Sequence, residues 1–78
     1  MDTFIARALQ ELKTKSLLEI QVETALVWCG RACAAALLGN PLDAVEYAHE
    51  AIEHAALSGQ DGLLAHIRAL LAAHAVPP

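Results

Sequence analysis

Gly39-Asn40-Pro41 limits what this chain can fold into more than any other three residues. A glycine just past a helix takes the left-handed turn without a Cβ penalty. Asparagine is a good N-cap, and proline suits the first helical position, where no amide donor is needed. Asp43 adds negative charge to the first turn of the helix that follows. The signal is a helix stop followed at once by a helix start, which is a helical hairpin. The helix after the turn is predicted over Pro41–Leu57 and is two-sided. Ala44, Val45, Ala48, Ala51, Ile52 and Ala55 are expected to face inward; Asp43, Glu46, Tyr47, His49, Glu50, Glu53 and His54 outward. Before the turn, Ala25 to Leu38 carries one charge, Arg31, and reads as a helix buried on most sides. Small facing side chains let the two helix axes come close.

No segment alternates as a strand does, so the fold class is all-α: one domain over residues 1–78, of three to four helices. A first helix over about Thr3–Thr14, capped by Asp2 or Thr3, carries an apolar stripe of Ile5, Ala8, Leu9 and Leu12. Arg7, Glu11 and Lys13 lie off that stripe, and Lys13 and Lys15 suit its C-terminal end. Ser16-Leu17-Leu18-Glu19 fits a capping box and predicts a second helix from Leu17. One long helix through Lys13–Ser16 is the alternative. Ser58 to Gly62 is a loop, and Asp61 opens a last helix to about Ala75, with Leu63, Ile67, Leu70 and Leu71 on its core side.

A chain of 78 residues buries a modest share of its surface. Yet 56% of it is hydrophobic and only 18% charged, against about 45–50% and about 25% in an ordinary domain. The excess apolar surface implies a partner protein or a second copy. A membrane is the rival destination, but the long apolar run from Leu17 to Leu38 contains Glu19, Gln21, Glu23 and Arg31, which oppose a span. The start Met-Asp-Thr-Phe lacks the features of a secretory signal, and the expected location is cytoplasmic, with Cys29 and Cys33 as reduced thiols. A net charge of −4 gives no footprint for nucleic acid.

Trp28, Gly39, Ala44 and Ala51 carry a family resemblance. The stretch Ala25–Ser58 resembles a tetratricopeptide-type repeat, a pair of antiparallel helices in about 34 residues. Trp28 falls where that family prefers tryptophan, Gly39 at its turn glycine, Ala44 and Ala51 at its two small positions. The stretch departs from the family at Arg31, where leucine is usual, at Ala32 in place of glycine, at Ala35 and Ala48 in place of large aromatics, and at Ala56 in place of the closing proline. The resemblance implies that Leu26, Cys29, Cys33, Ala36 and Leu37 line a groove. Helical periodicity alone picks nearly the same stripe, Val22–Leu26–Cys29–Cys33–Leu37. Such an apolar groove suits an amphipathic helix, and Tyr47 is a candidate contact anchor. The chain is also similar in size, acidity and apolar excess to the small helical chaperones of bacterial type III secretion, which hold an aggregation-prone needle subunit.

Chemistry has little support in the sequence. Glu46-x-x-His49 has the carboxylate–histidine spacing of di-iron bundles, and Glu19 and Glu23 could add oxygen ligands. This metal-binding reading is the alternative to a protein-binding one, set against the wet face on which Glu46 and His49 should lie. Cys29 and Cys33 have a spacing that could ligate zinc, but nothing completes four ligands. His66 and His74 belong to no ligand set, and Glu50–His54 is an ordinary i,i+4 pair. No phosphate loop or nucleophile elbow is present, so neither an enzyme nor a cofactor is expected.

Overall fold

The computed structural model describes residues 3–78. It contains three helices, α1 (Thr3–Leu37), α2 (Pro41–Leu57) and α3 (Asp61–Ala73), and no strand among the described residues. The fold is all-α. Asp2, one of the two expected caps, lies outside the described residues.

The first departure from expectation is that α1 is one helix of 35 residues. The break expected at Ser16 is absent. Lys13-Thr14-Lys15-Ser16 holds neither glycine nor proline, and each of its residues is tolerated in a helix interior. A capping box has its effect only where backbone donors are free. Here they are used by the continuous helix, and Lys13 and Lys15 lie in mid-helix rather than at a C-terminus.

The turn follows the sequence. Gly39 takes φ 80°, the Asn40 amide donates to the Ala35 carbonyl at 2.9 Å, and the Gly39 amide donates to Ala36 at 3.2 Å. These are the two bonds of a Schellman stop. Asn40 caps α2 by position, with no side-chain hydrogen bond, and Pro41 opens the helix.

The core between α1 and α2 is built from small side chains. Ala25, Cys29, Ala32 and Ala35 of α1 meet Ala44, Ala48, Ala51 and Ala55 of α2, all buried. Facing alanines place two helices near the short end of the usual interaxial range, about 8 Å. At one edge Trp28 packs on Tyr47, with ring centroids 5.5 Å apart, and the Arg31 guanidinium lies 4.9 Å over the indole. At the far end of α2, His54 Nδ1 lies 2.6 Å from Gln21 Oε1, a hydrogen bond that ties the last turn of α2 to α1. Tyr47 and His54, expected to point outward, are therefore half-buried between helices.

The third helix supplies the larger apolar groups. Ile67 is fully buried, Leu71 nearly so, and Leu63, Leu64 and Leu70 pack against the same cluster. Ser58 holds the α2–α3 corner: its hydroxyl donates to the Ala55 carbonyl at 2.6 Å and accepts from the Gln60 amide at 3.2 Å. The last helix ends at Ala73, short of the expected Ala75. Ala75 turns left-handed at φ 56°, and the Val76 amide donates to the Leu71 carbonyl at 2.9 Å. This folds the chain back and buries Val76.

The whole is elongated, 59 × 18 × 12 Å, with a radius of gyration of 15.9 Å. A compact chain of this length would have about 11.5 Å. The excess comes from α1. Its residues from Thr3 to Ile20 are all exposed, and its first buried residue is Ala25. Half of α1 belongs to the three-helix bundle; the other half is an arm with no tertiary cover.

Candidate interaction surface

On α1, alanine and cysteine fill the core side while larger side chains stay outside. Among the described residues Phe4, Ile5, Leu9, Leu12, Leu17, Ile20, Leu26, Val27 and Leu37 are exposed on α1 alone. Singly exposed leucines are ordinary; a contiguous apolar surface is not. Whether these groups form one surface depends on their direction around the helix.

At about 100° per residue, eighteen residues make five whole turns. Ala8 therefore lies on the same line of α1 as Leu26, Leu9 as Val27, and Leu12 as Gly30. Twenty residues leave a pair about 200° apart. Ile5 is thus nearly opposite Ala25, Leu9 opposite Cys29, and Leu12 opposite Ala32, the three residues that face α2. The arm's apolar stripe does not continue the core side of α1. It lies on the outer side, in line with Leu26, Val27, Gly30, Ala34 and Leu37, all exposed. On the core side the arm from Arg7 to Thr14 is polar, with Arg7, Gln10, Glu11 and Thr14, and only Leu18 near the bundle is apolar there. The amphipathic direction of α1 reverses along its length. The result is one outer surface from Ile5 to Leu37, interrupted by Ser16, Glu19 and Glu23.

The sequence-derived groove residues of α1 lie along one flank at the edge of the covered side, and their burial differs. Leu26 is 44% and Leu37 77% exposed on the outer side. Cys29 is only 3% exposed beneath α2 and belongs to the core, a correction to its place in the expected groove. Cys33 is half-buried, its sulfur 4.0 Å from the Leu70 carbonyl of α3. Ala36 packs against the core, Val22 is half-buried at its entrance, and Tyr47 is engaged with Trp28. The segment Ala25–Leu38 is buried on one side, not most, because two short helices cover one flank of α1 only. The outer-surface residues missing from the expected stripe are Ile5, Leu9, Leu12, Val27 and Gly30. The phase relation that links them is readable only once α1 is continuous.

Glu46 and His49 are exposed on α2, whereas Glu19 and Glu23 lie on the outer side of α1, away from it. Among the described residues no group of three or more His, Cys, Asp or Glu side chains is placed to hold a metal ion. His54 Nε2 lies 3.7 Å from Glu50 Oε2, an ion pair only when the ring is protonated. Both cysteines are free thiols. Burial, and secondarily the adjacent Cys33, pushes the Cys29 thiol up to about 11, which makes it a poor thiolate and a poor ligand.

Among the described residues no helix is long and apolar enough to cross a membrane. Comparison with protein-family models, curated proteins and solved structures gives no match.

Proposed function

We propose that this chain is a protein-interaction module, a small chaperone-like domain that holds an apolar helix of another protein against the outer side of α1. The observation that carries the reading is an inversion along α1: Ala25, Cys29, Ala32 and Ala35 are inside, while Ile5, Leu9, Leu12, Leu26, Val27 and Leu37 are outside and aligned on one side. Burial of that surface, at about 25 cal/mol per Å² less the cost of ordering, would drive binding. The close α1–α2 hairpin supports the tetratricopeptide-like part of the reading, and the bare arm supports comparison with the small type III secretion chaperones. The free thiols of Cys29 and Cys33 suit a cytoplasmic protein. The domain works by binding, without catalysis and without a cofactor.

The test is a pair of charge variants read by solution mass of the complex recovered from the native host. Leu26→Asp, in the outer surface, abolishes the complex; Glu53→Lys, exposed on α2, leaves it intact. Equal binding by the two variants defeats the assignment of the surface.

A further inference from the structure

We propose that the helix held on the outer side of α1 is α1 of a second copy of this chain, packed antiparallel so that Leu9 of each copy meets Leu26 of the other. This rests on the docking surface proposed above and names its occupant.

Charge selects the register. Glu19 and Glu23 lie within the outer surface, while Lys13 and Lys15 flank it on opposite sides near Ser16. With Leu9 against Leu26 of the second copy, Ser16 meets Glu19 and Leu12 meets Glu23. Glu19 then lies one residue's rise, about 1.5 Å, from the level of Lys15 of the other chain, and Glu23 the same from Lys13. Each glutamate also leans toward the flank that carries its lysine. The two-fold axis repeats both pairs, giving four lysine–glutamate contacts. Other pairings are worse. A parallel, in-register pair sets Glu19 on Glu19 and Glu23 on Glu23. An antiparallel pair that sets Ile5 on Leu37 brings Glu19 against Glu23, away from the lysines. Like charges so placed are strongly disfavoured.

Gly30 points the same way. A glycine inside a helix weakens it relative to alanine. A Cβ built on Gly30 meets nothing within 4 Å, so nothing within this chain requires its absence. In the proposed register Ile5 of the second copy lies over Gly30, where the missing side chain leaves a hollow between Leu26 and Ala34. The other helices leave room for the pairing: α2 packs on the core side of α1, and α3 meets α1 at Cys33, beyond the Ile5–Gly30 overlap. The assembly is layered, with the two α1 helices in the middle and each α2–α3 pair outside. Each arm gains the cover it lacks in one chain.

The overlap from Ile5 to Gly30 is about 38 Å long. With a strip about 12 Å wide it covers about 450 Å² on each copy, about 900 Å² in all, roughly a quarter under the lower bound of standard stable interfaces and in the range of weak, transient ones. A micromolar dimer is expected, not a permanent one.

The experiment is sedimentation equilibrium of the full chain from about 1 to about 300 µM, with circular dichroism as the check on folding. The wild type goes from monomer to dimer across the range. Lys13→Glu/Lys15→Glu and Glu19→Lys/Glu23→Lys each dimerise at least about tenfold more weakly. Their equimolar mixture regains dimer, because both halves of the mixed interface are again complementary. In a Cys29→Ala/Cys33→Ala background, oxidative cross-linking joins Leu9→Cys to Leu26→Cys in a mixture and does not join Leu9→Cys to itself. A wild type monomeric throughout, a mixture of folded variants that stays monomeric, or self-linking through Leu9→Cys each overturns the proposal. If the wild type is monomeric while Leu26→Asp still abolishes a complex with another protein, only the identity of the occupant fails. If the dimer is indifferent to Leu26→Asp, the surface itself is wrong.

Discussion

Replacing Ala51 by leucine places three more carbon atoms where α2 meets α1. Ala51 is 0% exposed, and the positions one turn away on α2, Ala48 and Ala55, are buried too. Two effects compete. If the interface had room, three buried carbons would stabilise by about 0.8 kcal/mol each, about 2.4 kcal/mol together. If alanine contact sets the spacing of the helices, the longer side chain must force them apart or leave its rotamer wells, at a cost of about 1–3 kcal/mol. The burial pattern decides for the second. The residues α2 faces, Ala25, Cys29, Ala32 and Ala35, are themselves buried and small, so separating the helices strips contacts along the whole seam. A domain of this length has about 4–12 kcal/mol in total, so the loss is a large fraction. At about 4–8 °C per kcal/mol, the midpoint falls by about 4–24 °C. The assay is thermal unfolding followed by circular dichroism, with Ala56→Leu on the exposed side of α2 as control, expected within about 0.5 kcal/mol of wild type. A midpoint for Ala51→Leu that equals or exceeds the wild type would refute close alanine packing.

Two further outcomes follow from single residues. The Cys29 thiol is raised from an ordinary 9.0 to about 11 by burial, so the folded state keeps a proton that the unfolded state gives up. Stability from this group is complete below pH about 9 and is lost as pH rises toward about 11, on the order of 3 kcal/mol at most. Denaturant titrations over that window should show a steeper fall for wild type than for Cys29→Ala, and parallel curves would contradict the burial. Ala75 holds a left-handed turn at φ 56°, which disfavours any residue with a Cβ. Ala75→Gly should stabilise by about 0.5–1 kcal/mol in the same titration, after the loss from a more flexible unfolded chain, and a destabilised variant would show that the turn is not needed to bury Val76.

The hairpin was legible because its signals are local. Gly39, Asn40 and Pro41 act through their own backbone preferences, and Pro41–Leu57 emerges with the boundaries its pattern implies. The inward row of α2 was legible for a similar reason, since its period is unbroken. Where the reading strayed, two local signals met a longer-range one. Ser16 and Glu19 have the spacing of a cap, but a cap needs a helix end, and the continuous ladder of α1 leaves none. Cys29 and Leu26 do share one stripe, about 60° apart, but the cover of α1 ends between them, so one is buried and the other is not. Ala75 shows the same limit at the C-terminus. Its left-handed turn is imposed by Val76 returning to the core, not by any preference of alanine.

The central claim is that the outer side of α1 is a surface made to be covered. An uncovered helix of about this arm's length is marginal in water, so amide hydrogen exchange along Thr3–Ile20 tests the claim most directly. In dilute protein the arm should exchange far faster than Ala25–Ala35 of the same helix, which is held by α2. Under conditions where the dimer or the partner complex forms, the arm should slow by tenfold or more, while Pro41–Leu57 changes little. An arm that stays fast when the complex has formed, or one already as slow as Ala25–Ala35 in the isolated chain, would contradict it.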